Sequence, residues 1–412
     1  MTPTTFAADP TRATDARAIA LVGAAHFVSH IYILAYPPIF DFLRDDFGVS
    51  YVELGGAVAL FNVITGTLQT PAGFLADRTS ARAVLLGGLV LGAASLVMAA
   101  FVSSFALFVV AVALLGFGNT VYHPADYSLL SSRISKARMS QAYSIHIFAG
   151  FAGTAVAPAL MIALAQAVGW RGGAIAIAIM GFLVAAAILL FGDVIAGRDP
   201  ERAKAAETGH GKTDWGLFLS APVLLNLVFF TLLAMTAGGI WGYGIVALQG
   251  KSGVSLSLST IALTAYLVLS ALAVLVGGFV SARTSRHDIV ATVGLAISGL
   301  TLIPIALWDF GPVLLVALMG TSGFFNGLIQ PSRDMLVRSV TPPGSFGKVF
   351  GFITTGFNIG GMIAPPIFGY LMDHGSPAGV LIGAALCSLV AIPTVMVNAG
   401  RKAARPITRP LA

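Results

Sequence analysis

The sequence predicts an all-α polytopic membrane protein with twelve transmembrane helices, arranged as two pseudo-symmetric six-helix bundles. Three observations support this prediction. Hydrophobic residues make up 57% of the 412-residue chain and charged residues only 10%, whereas a soluble domain carries roughly 25% charged residues. Each half of the chain contains six apolar runs of about the ~20 residues that a membrane-spanning helix needs. A ten-residue motif also recurs at about half the chain length.

The predicted spans follow one another with short loops between them. In the first half they are Ala18–Phe40, Val52–Phe74, Ala83–Val102, Phe105–Leu129, Gln141–Val168 and Gly173–Phe191. In the second half they are Leu217–Val246, Ser259–Ser281, Ile289–Trp308, Pro312–Leu336, Val349–Met372 and Ala378–Val397. The domains predicted from these spans are a tail (1–17), a first bundle (18–191), a linker (192–215), a second bundle (216–398) and a tail (399–412).

Charge placement predicts the orientation of the chain. If the N-terminus is cytoplasmic, only Arg44, Arg171 and Lys251 of the 23 Lys and Arg residues lie on the outer side. This positive-inside bias predicts a bacterial-type inner (plasma) membrane with both termini cytoplasmic. It also accounts for the net charge of +6 without a nucleic-acid partner. Cys387 is the only cysteine, which excludes an intrachain disulfide.

A histidine pair lies in the middle of the first span. His26 and His30 are four residues apart and therefore share a helix face, which should point into the bundle because lipid offers imidazoles no partners. The pair either packs as a hydrogen-bonded unit or handles protons or substrate. No metal site and no cofactor are predicted, because Phe27 stands where a zincin has Glu and no third ligand is evident.

Further polar residues occupy the fourth and fifth spans, namely Asn119, Tyr122, His123, Asp126 and His146. Asp126 and His123, three residues apart, can share a proton and perturb each other's pKa. The alternative is a structural hydrogen-bonded pair beside the helix kink expected at Pro124.

The second half carries its own polar set. The seventh span ends in GGIWGYG, Gly238–Gly244, where so many glycines should bend the helix; Trp241 and Tyr243 are candidates for a gate, a stacking surface or interfacial anchors. In the tenth span Arg333 and Asp334 are adjacent, so we expect them to point to different sides and not to neutralise each other. Arg333 either binds an anionic group or extends to the inner surface.

The repeated motif carries a family resemblance. It reads GFLADRTSAR from Gly73 and GFVSARTSRH from Gly278, 205 residues later (278 − 73). The pattern Gly-x-x-x-Asp77-Arg78-x-x-x-Arg82 resembles the inner-loop motif of the major facilitator superfamily, and the weaker copy, with Arg283, has Ala where Asp77 stood. The resemblance implies the major facilitator fold, with two halves that alternate between inward and outward openings. It also implies a contact centred on Asp77 that locks the halves at the cytoplasmic face.

The first half further resembles the fosmidomycin resistance protein family of proton-driven drug exporters. The residues that carry this resemblance are Ala25-His26, Tyr36-Pro37, Gly116-x-Gly118, His123-Pro124 and the stretch Gly153 to Pro158. The chain departs from the family at His30, where a carboxylate is common, and from the superfamily at Val112, where an arginine is expected.

The resulting expectation is a secondary transporter that moves a small organic solute by alternating access, with proton-coupled export (drug or organic-anion antiport) as the predicted function. Proton-coupled or facilitated uptake of an organic anion, metal-ion transport and a membrane enzyme using His123 and Asp126 stay open as alternatives. The chain contains no GxxxxGK[ST] loop, which argues against ATP-driven pumping. The expected partners are the solute, protons and the lipid bilayer, with the chain acting as a monomer.

Three sets of site residues follow from these patterns. The proton-coupling candidates are Asp126, His123, His30, His26, His146 and Asp334. The substrate-binding candidates are Asn119, Tyr122, Asn226, Trp241, Tyr243, Asn326, Gln330, Arg333 and Asn358. The gating-motif candidates are Gly73, Asp77, Arg78, Arg82, Gly278 and Arg283.

Overall fold

The computed structural model describes residues 10–135, 138–196, 215–341 and 346–403, and all regular structure in these ranges is helical. Most of the predicted linker and the outer parts of both predicted tails lie outside the described residues. The helices of the first half are α1 Pro10–Ile33, α2 Phe40–Phe47, α3 Tyr51–Arg78, α4 Ala81–Phe101, α5 Phe105–Asn119, α6 Tyr122–Arg133 and α7 Met139–Phe191. Those of the second half are α8 Trp215–Phe218, α9 Ala221–Ala237, α10 Tyr243–Ser252, α11 Leu256–Ala282, α12 His287–Leu307, α13 Pro312–Leu328, α14 Gln330–Val340, α15 Phe346–Asp373 and α16 Pro377–Ala403.

The helices supply the twelve predicted spans. Ten segments of the described chain are long and apolar enough to cross a bilayer. One of them, Gln141–Ile195, has 55 residues and would measure about 80 Å as one helix, well over the ~30 Å hydrocarbon core. Gly169 divides it, because its φ of 75° and ψ of 159° are not helical and the positive φ favours glycine. With α15, which has 28 residues, the described chain contains the twelve spans of the predicted fold.

The helix ends follow local sequence. Ser80, Ser104 and Ser255 cap α4, α5 and α11 by accepting a backbone N–H with the side-chain oxygen, as expected for N-cap serines. Helix α1 begins at Pro10, inside the predicted tail, and ends at Ile33 just before a 3-10 turn over Pro37–Ile39. The glycines of the seventh span form a π-helical turn, Gly238–Gly242.

Two compact units make up the described chain. The first comprises the described residues of Met1–Ile39 and Ile64–Gly211, and the second those of Phe40–Val63 and Lys212–Ala412. The segment Phe40–Val63, predicted from sequence to lie in the first bundle, therefore packs with the second unit.

Polar contacts explain why this segment joins the second unit. Asp373 Oδ1 and Oδ2 accept the backbone N–H groups of Tyr51 and Val52, each at 2.9 Å. The Tyr243 hydroxyl lies 3.1 Å from the Tyr51 carbonyl oxygen and 2.8 Å from that of Pro365. The N-terminal end of α3 is thus held by α10 and α15.

The surface has the composition expected in lipid. Large apolar side chains are highly exposed, for example Phe101 at 77% and Val313 at 86%, whereas Asp126 and Ser298 are fully buried. A soluble protein would hide the first pair and solvate the second. The chain is therefore a multi-pass membrane protein with its polar groups turned inward.

Candidate functional site

A cluster of four histidines surrounds a buried carboxylate in the first unit. Helix α1 supplies His26 and His30, α6 supplies His123 and Asp126, and α7 supplies His146. Asp126 is 0% exposed, His146 1% and His26 4%, while the His123 side chain is exposed. These are five of the six predicted proton-coupling residues, and the fold brings them together from three helices.

The cluster centres on one oxygen of Asp126. Its Oδ2 lies 3.2 Å from His26 Nδ1 and 3.9 Å from His146 Nδ1. The rings of His26 and His146 stack with their centroids 3.8 Å apart, and the His123 ring stands 5.3 Å from that of His26. Two protonated rings this close would repel each other, so His26 and His146 are not suited to carry an added proton at the same time.

Several polar atoms of the cluster lack hydrogen-bond partners among the described residues. They are Asp126 Oδ1 and Oδ2, His26 Nδ1, and His146 Nδ1 and Nε2. Buried polar atoms are normally hydrogen-bonded, and a buried carboxylate without an Arg or Lys partner is costly unless it is neutralised. The arrangement therefore calls for a proton or another cation at this carboxylate.

His30 has a defined partner. Its Nδ1 lies 2.8 Å from Thr154 Oγ1, and that hydroxyl donates its hydrogen to the Gly150 carbonyl oxygen at 3.1 Å. We assign Nδ1 as the donor to Thr154, which leaves the Nε2 lone pair as an acceptor. Gly150 makes room for the pair, because a Cβ there would lie 2.7 Å from His26 Nε2 and 2.8 Å from His30 Nε2.

The remaining candidates of the first unit flank the cluster. Asn119 Nδ2 reaches Thr65 Oγ1 at 3.5 Å, and Thr65 in turn donates to the Gly116 carbonyl oxygen at 3.2 Å. Tyr122 is buried, and its hydroxyl has no hydrogen-bond partner among the described residues.

Arg333 lies in a polar and aromatic setting of the second unit. Contrary to the expectation from sequence, it pairs with its neighbour Asp334, with Nη2 2.8 Å from Oδ1. The long arginine side chain folds back along the helix, which adjacency in sequence does not prevent. Arg333 also donates to Gln330, and its guanidinium carbon stands 4.8 Å from the Phe230 ring centroid and 5.3 Å from that of Phe357.

The other candidates of the second unit do not form one cluster with Arg333. Asn226 is buried and donates to the Pro222 carbonyl oxygen of its own helix at 2.9 Å, while the Trp241 indole nitrogen is buried without a partner among the described residues. Tyr243 is engaged with Tyr51 and Pro365, as described above, and is not a free stacking surface. Asn326 is buried and accepts from Gln330 through its backbone oxygen; Asn358 is half-buried.

The residues of the repeated motif have different surroundings. Arg82 Nη2 donates to the carbonyl oxygens of Ile188 and Leu189, each at 2.9 Å, and so caps the end of α7. A Cβ at Gly73 would lie 3.4 Å from Pro124 Cβ, an ordinary contact. Asp77 is half-buried, whereas three members of the motif and its copy are exposed: Arg78, Gly278 and Arg283.

Comparison with known proteins places the chain in a family. The model of the Major Facilitator Superfamily matches residues 22–262 and 231–410, which together span most of the chain. The chain belongs to the Major Facilitator Superfamily. The repeated motif and the twelve spans are therefore features that this chain shares with its superfamily, and the resemblance noted in the sequence is confirmed.

Curated relatives in this superfamily are transporters. The fosmidomycin resistance protein of Escherichia coli (strain K12) is 25% identical over 376 residues, covering 90% of each chain. The probable L-galactonate transporter of the same organism is 24% identical over 370 residues, covering 80% of this chain and 77% of its own. The probable sulfoacetate transporter SauU of Cupriavidus necator is 24% identical over 400 residues, covering 90% and 91%.

Solved structures share the Major Facilitator fold. A bacterial homolog of the human lysosomal transporter Spinster has a TM-score of 0.74 at 14% identity, with 96% of each chain covered. A mutant of the nucleoside transporter NupG has a TM-score of 0.76 at 16% identity, with 93% of this chain and 99% of its own covered. The chain is thus a Major Facilitator transporter of small solutes, and the alternative of a membrane enzyme using His123 and Asp126 is excluded.

Sequence reasoning missed several residues that shape these sites. Thr154 and Gly150 orient the histidines of α1, and Phe230 and Phe357 flank Arg333. Each is a common residue in an apolar helix, and its role arises from contact with another helix. A sequence signal existed only for Gly150, because Gly150, Gly153 and Ala157 are small residues of the fifth span and small residues let membrane helices pack closely.

Proposed function

We propose that this Major Facilitator transporter exports a small organic solute in exchange for protons, and that Asp126 is the proton carrier. The observation that carries the proposal is the buried Asp126 carboxylate, which has no hydrogen-bond partner among the described residues and lies between two histidines. Such a group is far less costly when a proton neutralises it. Its protonation state therefore changes the charge inside the first unit by one.

The histidines give this proton a route. His26 and His146 both approach the same carboxylate oxygen, and His123 is the exposed member of the cluster. The free Nε2 of His30 supplies one more acceptor in the adjoining turn of α1. We propose that proton arrival and departure at this cluster bias the two transport states, because a ligand shifts a conformational equilibrium by its differential affinity for the two states.

Export is favoured by a named relative. The fosmidomycin resistance protein is a relative over 90% of this chain, and its name describes drug resistance. The proposal includes an inner-membrane location with cytoplasmic termini, from the positive-inside bias, and a monomeric transporter.

Uptake of an organic anion is a second candidate, and Arg333 favours it. Its guanidinium is partly shielded between Phe230 and Phe357, and planar guanidinium groups bind carboxylates and sulfonates through paired hydrogen bonds. Relatives named as probable L-galactonate and sulfoacetate transporters handle organic anions by name. Under this alternative the anion would compete with Asp334 for Arg333.

Proton movement in everted membrane vesicles with an acid interior tests the main proposal. Phosphonates, drugs and organic acids are added one at a time, and we expect one of them to alkalinise the interior only when the protein is present. Asp126→Asn should abolish this response while solute exchange continues. Asp309→Asn, which alters an exposed carboxylate paired with Lys251, is the matched control and should respond like the unaltered protein.

Two results would count against proton export. A full response in Asp126→Asn would remove Asp126 from the coupling step. No response to any compound, together with accumulation of a labelled sugar acid or sulfonate in right-side-out vesicles that Arg333→Gln abolishes, would establish the uptake alternative.

A further inference from the structure

We propose that the first unit contains a binding site for one divalent transition-metal cation, formed by His26, His123, His146 and Asp126. One nitrogen from each of the three histidines lies within 4.8 Å of the others, and Asp126 adds a carboxylate oxygen beside two of them. The cation would bind the carboxylate that the proposed function assigns to the proton, so the cation and the proton compete for one site. The test of cation binding does not depend on transport.

The spacing of the donor atoms suits tetrahedral coordination. Zn²⁺ binds imidazole nitrogen at about 2.0–2.1 Å, so neighbouring ligand atoms in a tetrahedron are about 3.3 Å apart. Asp126 Oδ2 is 3.2 Å from His26 Nδ1 and 3.9 Å from His146 Nδ1. The three histidine nitrogens lie within 4.8 Å of one another, which is wider than this spacing, so the set closes around an ion when side chains rotate, above all that of His123, the exposed member.

The unsatisfied atoms favour an ion between these groups over direct contact among them. His26 Nδ1 and Asp126 Oδ2 are within hydrogen-bonding distance, yet no hydrogen bond joins them. In a coordinated pair the lone pairs point at the metal and not at each other, which produces this combination of short distance and poor alignment. One divalent cation would also neutralise the buried carboxylate, for which no Lys or Arg partner is present in the described chain.

The donor set selects the class of ion. Three neutral imidazoles and one carboxylate suit Zn²⁺, Co²⁺ or Ni²⁺, whereas Mg²⁺ and Ca²⁺ prefer sites made entirely of oxygen. His123 is the exposed member of the set, and an entry path for the ion is one of the requirements of a metal site. No metal site was predicted from the sequence, because no third ligand was evident beside His26 and His30. In the structure His26 is joined by His123 and Asp126 of α6 and His146 of α7.

Metal binding to the purified full-length chain tests the inference. The affinity tag is removed, the protein is treated with a chelator and dialysed, and Co²⁺ is titrated while visible absorption is recorded. We expect one Co²⁺ per chain by elemental analysis, the absorption bands of tetrahedral Co²⁺, and displacement by Zn²⁺. His146→Asn and Asp126→Asn should each weaken Co²⁺ binding at least about tenfold, since even groups behind the ligands contribute 10- to 100-fold.

The matched control is His374→Asn, an exposed histidine whose ring nitrogen contacts the Tyr370 carbonyl oxygen; its Co²⁺ affinity should equal that of the unaltered protein. If a buried variant fails to fold, His123→Asn decides the question, because its side chain is exposed. Three results would overturn the inference: substoichiometric Co²⁺ in the unaltered chain, Co²⁺ binding that is unchanged in His123→Asn, or Co²⁺ binding that is lost in His374→Asn. If the chain carries out proton-coupled transport but binds no Co²⁺, the metal site is wrong and the proposed function stands.

Discussion

The two hydrogen bonds between Asp373 and the start of α3 offer a quantitative test of how the N-terminal end of this helix is held. The first N–H groups of a helix have no partner within it, and here Asp373 accepts those of Tyr51 and Val52, each at 2.9 Å. Asp373→Asn removes the negative charge and leaves one oxygen acceptor in place of two. At least one of the two hydrogen bonds must be lost.

The expected cost follows from these contacts. A hydrogen bond to a charged group is worth about 1.5–3 kcal/mol, and a negative charge at a helix N-terminus adds about 0.3–1 kcal/mol. Asp373 is exposed, so the lower ends of both ranges apply and the total is about 2 kcal/mol. At 1.4 kcal/mol per factor of ten, this loss increases local opening about 30-fold.

Hydrogen–deuterium exchange resolved to single amides measures this opening. In Asp373→Asn we expect the amides of Tyr51 and Val52 to exchange about 30-fold faster, because the loss of about 2 kcal/mol makes local opening that much more frequent. The next two amides provide an internal control, because Glu53 N–H bonds to Ser50 Oγ and Leu54 N–H to the Ser50 carbonyl oxygen, each at 3.2 Å. Unchanged exchange at Tyr51 and Val52, or an equal rise at all four amides, would refute the reasoning.

Two further predictions use matched pairs in or beside the repeated motifs, each measured as the apparent melting temperature in detergent. Gly277→Ala should lower the melting temperature, because a Cβ there would lie 2.3 Å from the Leu328 carbonyl oxygen. Gly278→Ala should leave the melting temperature unchanged or raise it, because a Cβ there would meet nothing within 4 Å. Similar melting temperatures for the two variants would contradict the packing argument. Arg82→Ala should lower the melting temperature by the equivalent of about 2 kcal/mol, the value of hydrogen bonds from a charged group. Arg78→Ala should have little effect, because Arg78 is exposed. Equal losses in the two variants would contradict the helix-capping role of Arg82.

The fold could be predicted because the membrane constrains it strongly. Backbone groups in lipid must be satisfied within each segment, so a long apolar run can only be a helix, and the number of runs gives the number of spans. The glycines of the seventh span also predicted a departure from regular helix geometry, and the structure has a π-helical turn there, Gly238–Gly242. Gly278, however, drew attention through repetition, whereas its neighbour Gly277 makes the close helix contact.

The sites were predicted only in part, because their assembly depends on contacts between helices. The five members of the histidine–aspartate cluster were each identified from sequence, since polar residues in apolar spans are conspicuous. Nothing in the sequence reports that α1, α6 and α7 meet around one carboxylate oxygen. The pairing of Arg333 with Asp334 was wrongly excluded because neighbouring Cβ directions were considered without the reach of a long side chain.

Helix α3 contains both the residues that bond to Asp373 and residues that contact the helices around the histidine–aspartate cluster. Its N-terminal part belongs to the second unit and is hydrogen-bonded there to Asp373 and Tyr243. Its C-terminal part belongs to the first unit, where Thr65 bonds to α5 and Gly73 packs on Pro124 of α6. Helix α6 also carries Asp126 and His123, so we expect release of the N-terminal end of α3 to alter the support of the helix that holds the buried carboxylate. If alternating access uses this connection, Asp373→Asn should change the rate of proton-linked transport and leave the order of preference among solutes unchanged. A change in that order with an unaltered rate would place the effect of Asp373 on solute binding and would count against the role of α3 as the link.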